Sequence, residues 1–266
     1  LYLVRFFDAN GDDRIDKSEA AKVTKIACSD NEIRSLEGIK NFPALEILDC
    51  SYNVIEGTLD LSGMESLKEA YLDHNLYTHI NLAGCSNLRI VEANDNVEHT
   101  PEYTSIFRTE SIDLSGCGEL LYLELTDNGI TEIDLSECPK LQALRMTWNA
   151  LKSIDVTKNP ELTHFYVRKN PELTGVIDLS NNTKLVEVWC AESKVSGLNL
   201  SNDHSSLEKI VSYYSDIESL DLSTCPNLRY LEAHGMKLTS IDLTQCSKLD
   251  YLWLKFNAIT ELDLTN

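Results

Sequence analysis

One pattern, Leu-x-x-Leu-x-Leu-x-x-Asn, recurs along almost the whole chain and constrains its fold more than any other feature. A copy begins at Leu120, and the same skeleton restarts twenty-one residues later at Leu141. A repeat of this length is one supersecondary unit that cannot bury its apolar face alone, so neighbouring copies have to stack. The 266 residues are therefore best read as a number of stacked coils.

Eleven copies of the pattern fit the sequence, and successive starts lie 21 to 23 residues apart with one exception. The copies start at Val23, Leu45, Leu67, Leu88, Leu120, Leu141, Leu162, Leu185, Leu207, Leu228 and Leu249. The long interval before Leu120 predicts an inserted surface loop near residues 97–107. The chain is therefore divided into residues 1–22, which precede the repeats, and a solenoid of residues 23–266.

Each position of the repeat has a physical role. Side chains alternate along a strand, so the fourth and sixth positions point into the core together with the leading leucine. The ninth position is asparagine in eight copies and Ser193, Ser215 or Met236 in the others. We expect the asparagine amide to satisfy backbone groups of its own and the next coil, which would cost about 1–3 kcal/mol each if buried unpaired. The coils that lack it are expected to be looser or differently turned.

A second motif, Leu59-Asp60-Leu61-Ser62 and its counterparts, predicts a second strand in each coil from the second onward. Its aspartates would stack about 4.8 Å apart on one face, where like charges repel. Hydrogen bonds from the Ser or Thr two residues on, or from turn amides, would offset this repulsion. A column of bound cations is the alternative explanation.

The repeat resembles the leucine-rich repeat family, and residues 35–45 are similar to the first coil of bacterial internalin-like cell-surface proteins. The resemblance implies an α/β leucine-rich repeat solenoid of right-handed coils. It also implies a curved parallel sheet on the concave face, second short strands on the convex face and a short helical N-terminal cap. Proteins of this kind are extracellular, sit on the cell surface and bind proteins or glycans.

Residues 1–22 contain a candidate calcium loop. Oxygen donors fall at positions 1, 3, 5, 7, 9 and 12 of a twelve-residue spacing, namely Asp8, Asn10, Asp12, the Arg14 carbonyl, Asp16 through a water, and Glu19. The spacing resembles an EF-hand or dockerin-type loop and predicts bound calcium. Position 6 is Asp13 where the family has a glycine at positive φ, a conformation that Asp tolerates better than most residues. The alternative is a solvated acidic turn that caps the following helix.

Charge and hydropathy exclude several classes of ligand and location. The net charge of −20 argues against nucleic acid, because nucleic-acid binders concentrate Lys and Arg on one face. No apolar run approaches the roughly 18 residues that span a bilayer, so we expect no transmembrane segment in this chain and place any lipid or cell-wall anchor outside it. The first residue is Leu1, so we expect a mature or trimmed fragment.

The eight cysteines follow the repeat register. Three occupy the apolar strand position, and five share one turn position of the coil. We therefore predict small buried thiols rather than a disulfide framework.

Aromatic side chains concentrate at the solvent-facing positions of the predicted sheet, the third, fifth, seventh and eighth of each repeat. All three tryptophans and eight of the eleven tyrosines lie there. High strand propensity could account for them, but a contiguous apolar strip usually marks an interaction surface. The predicted ligand-binding residues are Tyr122, Arg145, Trp148, Tyr166, Arg168, Trp189, Tyr213, Tyr230, Tyr251 and Trp253.

We expect a ligand on the stretch from Arg145 to Phe256, where Arg and Lys accompany the aromatics, whereas the earlier coils are acidic on this face. A protein partner is the first choice, a glycan held on the same aromatics is the alternative, and a structural spacer is the third. No catalytic motif is present, so we expect no enzymatic activity.

Overall fold

The computed structural model describes residues 6–99, 105–107 and 109–262. The chain divides into two compact units, Leu1–Gly129 and Ile130–Asn266. The described part of the first unit contains a four-residue helix α1 (Lys17–Ala20) and a 3-10 turn (Ile39–Asn41). No helix in the described ranges is long and apolar enough to cross a membrane.

Short strands account for most of the regular structure. The first unit contains β1 (Lys25–Ala27), β2 (Ile47–Asp49), β3 (Glu56–Asp60), β4 (Glu69–Tyr71), β5 (Leu76–Asn81), β6 (Ile90–Glu92), β7 (Val97–His99), β8 (Ser105–Phe107), β9 (Ser111–Asp113) and β10 (Tyr122–Glu124). The second contains β11 (Ala143–Arg145), β12 (His164–Tyr166), β13 (Thr174–Asp178), β14 (Glu187–Trp189), β15 (Lys194–Asn199), β16 (Lys209–Val211), β17 (Tyr230–Glu232) and β18 (Tyr251–Trp253).

One parallel sheet dominates each unit. Its order is β1-β2-β4-β6-β10 in the first unit and β11-β12-β14-β16-β17-β18 in the second. Each strand covers the third to fifth positions of one repeat, and neighbours pair without a shift, so that Leu48 lies beside Ala70 and Phe165 beside Val188. The eleven strands match the eleven copies of the pattern. The leucine-rich repeat solenoid expected from the sequence is therefore confirmed.

The core lies on the inner side of these sheets, as the alternation predicts. Leu48 and Cys50 are fully buried in the second coil, and Leu144 and Met146 take the same positions in the sixth. Burying one such side chain contributes about 1.5–3 kcal/mol. The core is thus a column of inward residues that grows by one layer with each coil.

The ninth-position asparagines form a ladder inside the turn that follows each strand. Asn170 is fully buried; its Nδ2 donates to the carbonyls of Met146 and Val167, both at 2.9 Å, and its Oδ1 accepts from the Leu151 amide at 3.0 Å. Met146 and Leu151 belong to the preceding coil. The expectation that the amide serves its own coil is confirmed, but the neighbour served is the preceding coil and not the next one. The side chain turns inward over backbone that precedes it in the stack.

Serine replaces this asparagine in two later coils with fewer bonds. Ser193 Oγ donates to the Cys190 carbonyl at 2.6 Å and Ser215 Oγ to the Ser212 carbonyl at 2.7 Å. Both bonds stay within one coil, because a hydroxyl is too short to reach the preceding one. These two coils therefore lack the amide cross-link.

Second strands occur in only some coils, so their prediction for every coil from the second onward is wrong. They form a three-stranded sheet, β3-β5-β9, and a pair, β13-β15. Gly57 and Gly175 have positive φ directly before the register shift in each set. We attribute the difference to these glycines, because other residues rarely adopt that conformation.

The aspartate column on this side is stabilised locally, as expected. Asp60 Oδ1 accepts from the amide and hydroxyl of Ser62, and Asp155 accepts in the same way from Thr157. The hydrogen bond from Lys40, followed by those from Ser62, lowers the pKa of Asp60 to about 2. The repulsion between stacked aspartates is therefore offset within each turn.

All eight cysteines are free and buried, which confirms the prediction of thiols. Burial raises the pKa of Cys50, Cys138 and Cys190 to about 12. Neutral thiols fill core positions here as small apolar side chains.

The insertion contains an antiparallel pair rather than only a loop. Strand β7 pairs with β8, and Val97 lies opposite Phe107. Residues 100–104 of the predicted loop lie outside the described residues. An antiparallel pair closes such an excursion on itself.

His204 occupies the turn position that cysteine holds in other coils. It is fully buried, and neither ring nitrogen has a hydrogen-bond partner among the described residues. Burial lowers its pKa, with Asp203 opposing the effect more weakly. The neutral ring is therefore favoured in the folded state.

We predict that the folded chain loses stability through His204 as the pH falls below about 6.5, the usual pKa of histidine. The unfolded chain binds the proton first, so stability is present above that value and declines below it, by at most about 1.4 kcal/mol per pH unit for one site. Urea unfolding at pH 7.0, 6.0 and 5.5 measures the decline. His204→Cys should flatten it, whereas the exposed control His79→Gln should not; equal slopes for both variants would contradict the prediction.

Candidate binding face of the second unit

The outer side of the main sheet in the second unit carries most of the predicted ligand-binding residues. We define the sheet face as the third, fifth, seventh and eighth positions of the six coils that begin at residues 141, 162, 185, 207, 228 and 249. Side chains at these positions point away from the core, because side chains alternate along a strand. The side chains of the sheet face therefore do not fill the core of the coil.

The predicted residues differ in accessibility. Trp148, Tyr251 and Trp253 are 48%, 41% and 39% exposed. The others in this unit are half-buried against one another, namely Arg145, Tyr166, Arg168, Trp189, Tyr213 and Tyr230. Tyr122 is exposed and lies on the main sheet of the first unit.

Two ring stacks run between neighbouring coils. Tyr230 and Tyr251 are parallel, with centroids 4.3 Å apart. His234 is stacked between Tyr213 at 4.7 Å and Trp253 at 4.0 Å. Such pairs contribute about 0.5–1.5 kcal/mol beyond their buried area. Much of the aromatic surface is therefore already in contact with other rings of the same chain.

Cations lie over several of the remaining ring faces. Lys169 Nζ is 3.6 Å from the centroid of Trp148, and Arg145 and Arg168 are each 5.4 Å from a tyrosine ring, Tyr166 and Tyr213 respectively. A cation over an aromatic face is attracted by about 0.5–1 kcal/mol at exposed sites. These contacts hold long side chains in fixed positions.

Carboxylates connect the polar ends of the rings. Glu187 Oε2 accepts from the Tyr166 hydroxyl at 2.8 Å and from Trp189 Nε1 at 3.0 Å. Glu232 Oε2 accepts from the Tyr230 hydroxyl at 3.0 Å. Burial and the hydrogen bond to Glu187 raise the pKa of Tyr166 to about 12. These phenols therefore stay protonated and act as donors to fixed acceptors.

A third carboxylate joins the seventh and eighth positions. Glu192 Oε1 accepts from Arg168 Nε at 2.8 Å and from the Tyr213 hydroxyl at 3.1 Å. Burial opposes ionisation of Glu192, but the hydrogen bond and charge of Arg168, together with Tyr213 and Lys169, outweigh it and lower the pKa of the carboxyl. The sheet face is thus a connected network of rings, cations and carboxylates.

The eighth position has an unusual backbone in all eleven repeats. Each residue there has positive φ, between 51° at Tyr214 and 66° at Gly235. In most coils its amide donates to a carbonyl of the next coil, as Trp148 does to Arg168 at 3.1 Å. The conformation is one that bulky residues rarely adopt. We call the column of eighth-position side chains the rim.

Exposed aromatics of the rim extend the predicted site. Tyr214 and Phe256 are 54% and 65% exposed and lie outside the ten predicted residues. Gly235 makes room for the first of them, because a Cβ there would lie 2.4 Å from the Tyr214 ring. The sequence places both aromatics in one column with Trp148, but it does not predict the positive φ of that column.

The corresponding rim of the first unit is acidic. It contains Asp30, Asp95 and Asp127 together with Tyr52 and His74, whose rings stack at 4.2 Å. The predicted contrast in charge between early and later coils therefore exists among the described residues.

The predicted calcium loop is folded around its own carboxylates. Asp13 has φ of 64°, so the aspartate does adopt the turn that usually needs glycine. Asp8 accepts from the amides of Gly11 and Asp13 at 2.7 and 2.8 Å. Glu19, which is 6% exposed, accepts from the amides of Ala9 and Asp16 at 2.8 and 2.9 Å.

The loop also caps the helix that follows it. Asp16 and Glu19 form a capping box at the start of α1. Backbone hydrogen bonds, first of all from the Glu19 amide, lower the pKa of Asp16. No group of three or more His, Cys, Asp and Glu among the described residues is arranged to hold a metal ion.

The parallel strands, the asparagine ladder and the outer sheet face define a leucine-rich repeat solenoid. No protein-family description and no curated protein match the chain. Among solved structures the chain is similar to the functional domain of InlJ from Listeria monocytogenes, which includes a cysteine ladder, at 22% identity and a TM-score of 0.56. It is also similar to the internalin InlF from Listeria monocytogenes, at 21% identity and a TM-score of 0.61.

A third similar structure is the leucine-rich repeat ectodomain of the receptor kinase GASSHO1/SCHENGEN3 from Arabidopsis thaliana, at 23% identity and a TM-score of 0.62. The three matches cover 89%, 92% and 82% of this chain. They cover 59% of the InlJ chain, 76% of the InlF chain and 28% of the receptor chain. At these identities the similarity concerns the fold alone.

Proposed function

We propose that this chain is a non-enzymatic binding module of a bacterial cell surface, which recognises a protein partner through the aromatic sheet face on the concave side of its solenoid. The observation that carries the proposal is the run of exposed aromatics on a rigid network, Trp148, Tyr214, Tyr251, Trp253 and Phe256. Tyr and Trp bring large contact area at low entropic cost and are enriched at binding hot spots. A network that is already ordered loses little freedom when a partner binds.

The ring contacts favour a protein over a glycan. A sugar ring packs flat against an open aromatic face. Here Tyr230 and Tyr251 cover each other, Trp253 covers His234, and Lys169 covers Trp148. Ring edges and outer surfaces remain for contact, and these suit the irregular surface of a folded protein or a peptide. Glycan binding through the same aromatics is the second candidate.

Similar proteins agree with a binding role. The Arabidopsis receptor ectodomain was solved in complex with Casparian strip integrity factor 2, and two of the three similar structures are internalins or internalin-like domains from Listeria. The proposal includes an extracellular location and an anchor of lipid or cell-wall type outside this chain. The proposal includes no nucleic-acid ligand, in line with the net charge of −20.

Site-specific crosslinking tests the proposed face. The photoreactive residue p-benzoylphenylalanine is placed at Tyr251, and in a matched control at Val176, which is 63% exposed on β13 away from the main sheet. We expect one or a few proteins from surface extracts of candidate host and bacterial cells to crosslink at Tyr251 and not at Val176. Equal crosslinking at both positions, or signal on a glycan array that Trp148→Gly removes, would contradict a protein partner on this face.

The same proposal includes a calcium ion bound by residues 8–19. The donors are all oxygens, which calcium prefers, and the backbone at Asp13 already has the required sign of φ. Asp8, Asn10, Asp12, the Arg14 carbonyl, Asp16 and Glu19 would hold the ion. Bound calcium would replace amide hydrogens as the partner of the carboxylates and so fix the N-terminal cap.

We predict that 5 mM calcium stabilises the chain by about 1–2 kcal/mol relative to EGTA, given an affinity of about 0.1–1 mM for such loops. For a chain of this size the melting temperature should rise by about 2–8 °C. Differential scanning calorimetry measures the shift, and equal magnesium controls for ionic strength. Asp12→Ala should abolish the shift, whereas Asp134→Ala in the aspartate column should retain it; an unshifted native chain would rule out the site.

A further inference from the structure

Lys209 occupies a distinctive place at the centre of the sheet face. It is the first residue of β16 and is half-buried. Its Nζ lies 4.6 Å from the centroid of Trp189 on one side and 4.5 Å from that of Tyr230 on the other. Two cation–π contacts therefore hold the ammonium group between two rings.

The nearest opposite charge in the sheet register does not pair with it. Glu187 of β14 lies directly beside Lys209, and neighbouring opposite charges on one face of a sheet normally attract. The Glu187 carboxylate is instead bonded to the Tyr166 hydroxyl and to Trp189 Nε1. Its acceptor Oε2 is thus directed toward the preceding strand and its own strand.

The next carboxylate along the sheet is also engaged elsewhere. Glu232 of β17 accepts from the Tyr230 hydroxyl at 3.0 Å and lies 3.5 Å from His234 Nδ1. No carboxylate of the described residues forms an ion pair with Lys209. Trp189 and Tyr230 therefore hold an ammonium group that makes no direct ion pair within the described residues.

The charge of the sheet face around Lys209 favours an anionic ligand. The sheet face carries five cations, Arg145, Arg168, Lys169, Lys209 and Lys255, against three carboxylates, Glu187, Glu192 and Glu232. All three carboxylates accept hydrogen bonds from groups of the same face. Lys255 Nζ, like Lys209, lies over a ring, 4.5 Å from the centroid of Phe256. An excess of positive charge thus occurs locally on a chain whose net charge is −20.

We propose that Lys209, clamped by Trp189 and Tyr230, is the receptor for a carboxylate side chain of a protein partner. This inference rests on the proposed function and specifies it: the bound segment carries an Asp or Glu flanked by apolar residues. The rings shield the ammonium from water on two sides, which strengthens a charge pair. Tyr251 and Trp253, 41% and 39% exposed two coils away, offer contact area for the flanking apolar side chains.

Peptide selection tests the proposal with a defined probe. A phage-displayed library of random peptides about twelve residues long is panned against the whole chain, and the affinity of selected peptides is measured by fluorescence anisotropy. We expect the selected peptides to be enriched in Asp or Glu next to aromatic or aliphatic residues. For the best peptide we expect Lys209→Gln to weaken binding at least tenfold and Lys209→Arg to weaken it less.

Controls separate a charge contact from a change in fold. Lys184→Gln removes a lysine that pairs with Glu161 at 2.5 Å and lies outside the sheet face, and it should leave affinity unchanged. Changing the acidic residue of the peptide to its amide should cost as much as Lys209→Gln on the native chain and nothing further on the variant. Such a thermodynamic cycle assigns the contact to this pair.

The outcomes distinguish this inference from the function on which it rests. If peptides bind and Trp253→Gly abolishes binding while Lys209→Gln does not, the carboxylate receptor is wrong and the binding face stands. If no selected peptide depends on any residue of the sheet face, the proposed function fails as well. Binding of acidic oligosaccharides alone, dependent on Lys209, would overturn the assignment to a protein partner.

Discussion

Asn170→Ala is expected to lower the free energy of unfolding by about 3–5 kcal/mol, one of the largest effects of any single substitution in this chain. The change leaves the Val167 carbonyl and the Leu151 amide without partners in the core, and it removes the shorter of two amide donors to the Met146 carbonyl. Each buried unsatisfied group costs about 1–3 kcal/mol. Urea unfolding followed by circular dichroism measures the loss.

Two variants control for this result. Asn181→Ala removes an exposed amide that donates to the Thr157 carbonyl at 3.2 Å, and it should cost no more than about 0.5–1 kcal/mol. Asn170→Ser should fall between the two, because Ser193 and Ser215 occupy the same position and bond only within their own coil. If Asn170→Ala and Asn181→Ala were equally mild, the ladder would not be a main source of cohesion between coils.

Replacing Trp148, Tyr214 and Phe256 together by glycine is expected to weaken binding of the crosslinked partner at least about 100-fold, since hot-spot side chains contribute about 2 kcal/mol or more each. Stability should stay level or rise, because glycine relieves the positive φ that all three residues adopt. Gly235 already occupies this position in one coil. Surface plasmon resonance measures the affinity, and thermal unfolding measures the stability.

The matched control is Tyr52→Gly. It makes the same chemical change at the same backbone conformation on the rim of the first unit, where φ is 54°. We expect the control to bind the partner as tightly as the native chain. A triple variant that binds normally would move the site away from the rim, whereas an unfolded one would show that these aromatics stabilise the coils.

Periodicity predicted the scaffold because the same physical demand recurs in every coil. The inward positions hold Leu48, Cys50 and their counterparts for one reason, burial, so composition carries the signal. The asparagine ladder was predictable for the same cause, although its direction was not, since sequence spacing does not tell which neighbour an amide faces. The register shifts of the second strands follow Gly57 and Gly175, single residues that no repeat average contains.

The candidate site was predictable only as a set of columns. Which aromatics remain exposed depends on partners in neighbouring coils: Trp189 is half-buried because Tyr166 and Lys209 pack on it, whereas Trp148 extends beyond the sheet. The positive φ of the rim left only a weak mark on composition, because five of its eleven residues are Asp, His or Gly, which favour this conformation, and six are types that avoid it.

The shared backbone conformation of the rim determines how such a chain can acquire new binding specificity. All eleven eighth-position residues have positive φ, so this backbone conformation is kept whichever side chain the position carries. Aspartate, lysine, tyrosine, tryptophan and glycine all occupy equivalent places. The rim is thus a row of structurally equivalent positions, at which we expect new recognition residues to be introduced without redesign of the coils.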